Sequence, residues 1–124
     1  FDHEYALSKL ESQGYRIGCG SNSVRQSIEI MLQKSDLMKY METVVSAQEV
    51  SEPKPSPEMY EKIISNFSLT PQECLIIEDN ENGIKAAKSS GAHVLIVKEV
   101  DEVNIENITN KIKQIENFNF EVVL

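Results

Sequence analysis

The sequence is poor in the residues from which metal clusters and disulfide frameworks are built. It has two cysteines, Cys19 and Cys74, and two histidines, His3 and His93. No CxxC or Cys/His spacing occurs, so a disulfide scaffold and a zinc site are both excluded for want of ligands. Each cysteine stands inside an apolar run and reads as a buried thiol, and no motif surrounds either histidine. Basic residues are also few. Twelve Lys and Arg against 20 Asp and Glu leave a formal net charge of -8, and no basic stripe offsets it, which argues against a nucleic-acid partner. No apolar run approaches the roughly 18 residues needed to cross a bilayer. The start, Phe1-Asp2-His3-Glu4, does not resemble a signal peptide. These absences lead to the expectation of a soluble, cytoplasmic protein without membrane or nucleic-acid partners.

What is present suits a single core. The 124 residues are 40% hydrophobic and 26% charged, which is one domain or part of one. Apolar side chains at Tyr5, Ala6, Leu7 and Leu10 share a helical face over residues 3 to 13, and Gly14 stops it. Tyr15 to Cys19 reads as a strand that ends in the polar turn Gly20-Ser21-Asn22-Ser23. Val24, Ile28, Met31 and Leu32 recur at helical spacing, and a second amphipathic stretch runs toward Tyr40 and Met41. Val44 to Ser46 is a minimal strand. Pro53, Pro55 and Pro57 then stiffen a loop, and Pro57 suits the first position of a helix to about Phe67, with Met59, Tyr60, Ile63, Ile64 and Phe67 along one face.

Cys74 to Ile77 is an unbroken apolar run of the kind buried on both faces of a parallel sheet, and it stops at Glu78-Asp79. A helix from about Glu81 to Ser90 ends at Gly91, and His93 to Val97 reads as another doubly buried strand. A helix over Ile105 to Ile115 and an apolar tail, Phe118 to Leu124, complete the chain. Alternating helices and strands imply an α/β layer fold with a mainly parallel sheet.

In such sheets ligands bind beyond the carboxyl ends of the strands, which singles out three loops. Ser21-Asn22-Ser23 offers a hydroxyl and amides at a helix N-terminus, suited to a phosphate, although Ser and Asn are also ordinary helix caps. Lys54 is either a solvated loop lysine or an ammonium fixed by its proline setting to neutralise a phosphoryl group. Glu78-Asp79 is either a solvated turn or a pair of hard oxygen ligands for Mg2+.

Taken together, IGCGSNS (Ile17 to Ser23), KPSPEMY (Lys54 to Tyr60) and IIEDNENGIKAAKSSGA (Ile76 to Ala92) resemble the haloacid dehalogenase-like (HAD) hydrolases, in the branch of β-phosphoglucomutase and sugar-phosphate phosphatases. The likeness covers roughly residues 3 to 100. It implies a Rossmann-like three-layer sandwich and a phosphatase or phosphomutase acting on a small phosphorylated metabolite such as a sugar phosphate. By the same resemblance Ser21 and the Asn22 amide bind the phosphoryl group, Lys54 stabilises it and the nucleophile, and Glu78 and Asp79 hold Mg2+. Asn80 fills a neighbouring polar slot.

One part of that pattern is missing. The family's nucleophile and its acid/base partner lie in a DxD motif after the first strand, and the only aspartates here are Asp2, Asp36, Asp79 and Asp101. Residues 1 to 124 are therefore expected to be the C-terminal portion of a HAD-like core, without the nucleophile strand and without the cap that selects substrate. The missing strand would sit between those at 15 to 20 and 74 to 78, whose edges would otherwise be bare or meet directly. An N-terminal segment carrying DxD would come from the same polypeptide or from another chain. The alternative is a noncatalytic binding module on the same fold. A receiver-like signalling domain fits poorly, because its acidic pair precedes its lysine.

Overall fold

Apolar runs that end in polar residues become the strands of one parallel sheet. In the computed structural model, which describes residues 2–115 and 121–123, these are β1 (Ile17–Gly20), β2 (Met41–Val45), β3 (Cys74–Glu78), β4 (His93–Ile96) and β5 (Glu121–Val123). Five helices separate them or flank them: α1 (Asp2–Ser12), α2 (Arg25–Lys34), α3 (Glu58–Asn66), α4 (Glu81–Ser89) and α5 (Ile105–Gln114). The spatial order is β2-β1-β5-β3-β4, and every described strand pair is parallel. Among the described residues no helix is long and apolar enough to cross a membrane.

Alternation along the strands sorts side chains into two layers. Ile17 and Cys19 of β1 and Leu75 and Ile77 of β3 join Ala6, Leu7, Leu10, Ile28, Leu32, Ile108 and Ile112, so α1, α2 and α5 cover one face. On the other face Ile76 meets Met59, Tyr60, Ile63, Phe67, Ala86 and Ala87 of the α3 and α4 side. Gly20 belongs to this second parity and lets α3 lie close, since a Cβ there would sit 2.9 Å from Ile63 Cδ1. The expected three-layer α/β sandwich is therefore present.

Three local expectations are corrected. The amphipathic stretch toward Tyr40 does not continue as α-helix: the chain turns at Asp36, whose φ is 59°, and Met38–Tyr40 form a 3-10 turn leading into a longer β2. β4 is not doubly buried. It is one of the two edge strands among the described residues, and its residues are half-buried or exposed.

The third correction concerns the centre of the sheet. The edges of β1 and β3 neither stay bare nor meet, because part of the apolar tail enters between them as β5. Val122 lies level with Ile17 and Leu75, and Val123 with Gly18 and Ile76. Strand edges carry unpaired amides and carbonyls, and a short β-branched segment satisfies them on both sides. The rest of the expected tail, residues 118–120 and 124, lies outside the described residues.

Candidate active site

The carboxyl ends of β1 and β3 open onto one cavity of about 510 Å3, bordered by Ser21, Asn22, Lys54, Glu78 and Asp79. Each of these side chains is delivered by a separate local device.

The loop after β1 is tied to the loop after β2. The Ser21 amide donates to the Val45 carbonyl (3.1 Å), the Ala47 amide donates to Ser23 (3.1 Å) and the Arg25 amide donates to Gln48 Oε1 (2.9 Å). Ser21 Oγ accepts the Ser23 amide at 3.2 Å, which is a turn within the loop. It does not cap α2: the cap position is Val24, which makes no side-chain cap bond. The ordinary-cap reading of Ser21 is thereby removed, and its half-buried hydroxyl borders the cavity.

Lys54 is fixed twice. Its amide donates to Asn22 Oδ1 (3.0 Å), and Asn22 Nδ2 donates back to the Lys54 carbonyl (3.2 Å), so one amide side chain holds both polar groups of the lysine backbone. Nearby, the Glu58 carboxylate accepts the amides of Ser51 (2.7 Å) and Glu52 (3.1 Å) and closes the proline-rich loop on α3. Lys54 Nζ then reaches inward to the Gly20 carbonyl (3.0 Å) and to Glu78 Oε2 (2.6 Å). Its side chain is only 9% exposed, so it is no solvated loop lysine.

The acidic pair is split by environment. Glu78 is buried at the end of β3, whereas Asp79 is exposed one residue on. Glu78 Oε1 accepts the Asp79 amide at 3.2 Å. Asn80 caps α4 by accepting the Gly83 amide at 2.8 Å, which gives the neighbouring polar slot a local structural job.

Tyr60 is the residue that sequence reasoning missed. Helical spacing placed it on the apolar face of α3, where it is indeed fully buried, and its hydroxyl also donates to Glu78 Oε2. Burial, and then the neighbouring Glu78, push the Tyr60 phenol far above its usual range, so it remains a protonated donor. Its place in KPSPEMY was the only available signal. Cys19 also borders the cavity; burial raises its thiol pKa, an effect that Lys54 opposes and Glu78 adds to, which keeps it in the neutral form. His3, which carried no motif, stands at the rim with Nε2 2.9 Å from the Val100 carbonyl.

The donor set fits Mg2+ in one specific sense. Among the described residues no group of three or more His, Cys, Asp or Glu gathers as a cage. Two adjacent carboxylates beside an open cavity match an ion that takes one or two protein carboxylates and completes its shell with water and phosphate oxygens. Glu121 lies level with Cys74, at the far end of β3 from Glu78 and about 13 Å away along the strand.

Comparison with known proteins gives consistent findings. The family model of haloacid dehalogenase-like hydrolases matches residues 2–97. A phosphoglycolate phosphatase of Nitrosococcus oceani is 33% identical over 89 residues, which are 72% of this chain and 40% of that protein. The pyrophosphatase PpaX of Bacillus cereus is 32% identical over 91 residues, 73% of this chain and 42% of the relative. Among solved structures, a β-phosphoglucomutase from Clostridium difficile is similar in fold, with a TM-score of 0.74 at 22% identity, covering 90% of this chain and 55% of the other. The chain thus spans about two fifths of the length of the curated relatives it matches.

Proposed function

The chain belongs to the haloacid dehalogenase-like hydrolases, and from that premise we propose that it forms the phosphate- and metal-binding half of a Mg2+-dependent phosphoryl-transfer site. In this reading residues 1–124 are the C-terminal portion of the core domain of a phosphatase or phosphomutase, and the substrate is a small phosphorylated metabolite such as a sugar phosphate. The observation that carries it is the meeting of Ser21, Lys54, Glu78 and Asp79 around one cavity at the ends of two strands that are separated in sequence.

The roles follow from the chemistry of each group. The Ser21 hydroxyl and the Asn22 amide bind the non-reacting oxygens of the phosphoryl group. Lys54 Nζ has three donors and uses two of them on Gly20 and Glu78, leaving one for a phosphoryl oxygen whose charge grows in the transition state. Glu78 and Asp79 would hold Mg2+, which when bound supplies positive charge next to the transferring group. The nucleophile is an aspartate of a DxD strand outside these residues. Its carboxylate oxygen forms the bond to phosphorus as the ester oxygen departs and takes a proton from the second aspartate; water then cleaves the aspartyl-phosphate and releases phosphate.

The test is hydrolysis of an aryl phosphate by the polypeptide that contains this chain together with an upstream DxD strand. Activity that needs Mg2+ and falls by about 100-fold or more in Asp79→Ala supports the reading. Unchanged turnover in that variant sinks it. One observation favours a second reading, a noncatalytic module: β5 fills the centre of the sheet with a segment that contains no aspartate. Cation and phosphate binding without turnover by the longer polypeptide would select it.

A further inference from the structure

Tyr60 is fully buried among Val45, Met59, Ile63, Phe67, Ile76 and the alanines of α4. Phenylalanine would fill that space without the desolvation cost that an unpaired hydroxyl carries. The hydroxyl is not unpaired, however. It donates to Glu78 Oε2, the same oxygen that takes Lys54 Nζ at 2.6 Å. The ammonium also lies 4.7 Å from the centroid of the Tyr60 ring, so one side chain touches both members of the buried pair.

These contacts divide the two oxygens of Glu78. Oε2 accepts two strong donors, whereas among the described residues Oε1 accepts the Asp79 amide alone, at 3.2 Å. Rotation of the carboxylate would break both bonds to Oε2. Gly83 adds a steric wall, because a Cβ there would overlap the Glu78 carboxyl group itself. The carboxylate is held from three directions: by a phenol, an ammonium and the backbone of α4.

We propose that Tyr60 is a positioning residue, whose hydroxyl fixes Glu78 so that Oε1 is the oxygen offered to a divalent cation. The proposal rests on reading Glu78 and Asp79 as the cation site and adds to it a device that sets the orientation of the buried ligand. Outer partners of this kind hold a ligand in its binding orientation, and their removal characteristically weakens metal affinity more than it disturbs the fold. Tyr60→Phe removes the donor and keeps the ring, its packing and its contact with Lys54.

The experiment is a titration of the 124-residue chain with Mn2+, following paramagnetic broadening of the Glu78 and Asp79 amide signals, with a thermal melt of each variant alongside. Broadening at both amides in the unaltered chain, and about tenfold weaker Mn2+ affinity in Tyr60→Phe at a little-changed Tm, is the expected result. Glu78→Gln, compared in the same way, should weaken binding at least as much. Equal affinity in Tyr60→Phe and the unaltered chain overturns the positioning role while leaving the cation site standing. Absence of broadening at these amides in the unaltered chain overturns the cation site, and the positioning role falls with it.

Discussion

Lys54 Nζ and Glu78 Oε2 meet at 2.6 Å, although one residue comes from a proline-rich loop and the other from the end of a central strand. Their side chains are 9% and 6% exposed, so this is a buried ion pair, far from the screened surface kind. Removing one partner of such a pair strands a charge and costs about 3–5 kcal/mol, while removing both costs much less. Lys54→Met should therefore lower the unfolding free energy by about 3 kcal/mol in urea. The double variant Lys54→Met, Glu78→Gln should recover a substantial part of that loss. Losses that simply add would contradict a coupled pair.

Gly83 lies inside α4, where glycine to alanine ordinarily gains about 1 kcal/mol of helix stability. Here the added methyl would overlap the Glu78 carboxyl group. Gly83→Ala is thus expected to destabilise, by about 1–3 kcal/mol, as overpacked sites do. Combining it with Glu78→Ala, which clears the space, should make the glycine substitution neutral or favourable relative to Glu78→Ala alone. Thermal melts of the four proteins check this.

Acid should unfold the protein through carboxylates outside the site. For Glu49, burial raises the pKa, but hydrogen bonds from the Ser46 side chain and backbone and from Arg25 outweigh it and hold the carboxyl below its ordinary value of 4.5. Backbone amides of Glu99 and Lys98 do the same for Glu102, and Lys39 does so for Glu4. A carboxyl whose folded pKa is depressed binds protons more weakly folded than unfolded, so its contribution is present above the unfolded pKa and is lost as pH falls through the folded one. The Tm should hold steady near neutrality and begin to fall below a pH of about 4.5. Glu49→Gln should flatten part of that fall; an unchanged slope would remove Glu49 from the account.

How much of this was legible in the sequence depended on how local each cause is. Lys54, Glu78 and Asp79 could be picked out because prolines, an apolar run and its abrupt end are signals within a few residues. The apolar faces of α1 and α3 were legible for the same reason, through helical spacing. Tyr60 was read only as core, since nothing near it in sequence announces that its hydroxyl meets a carboxylate 18 residues away. The Asn22 clamp on Lys54 spans 32 residues and was equally hidden. β4 misled because an apolar run says that a strand is hydrophobic, and not whether it stands at the centre or the edge of its sheet. β5 was invisible for a related reason: three residues carry no periodicity, and their place is set by the gap between β1 and β3.

The central claim is that Ser21, Lys54, Glu78 and Asp79 form one phosphate- and cation-binding half-site. Calorimetric titration of the 124-residue chain with inorganic phosphate, with and without Mg2+, tests it most directly. Asp79→Asn and Ser21→Ala are the variants of choice, because both positions lie at the cavity rim and neither is buried. The account predicts phosphate binding that is strengthened by Mg2+, loses that strengthening in Asp79→Asn, and is weakened in Ser21→Ala whether or not the ion is present. Phosphate affinity that is the same with and without Mg2+, and the same in all three proteins, would contradict it.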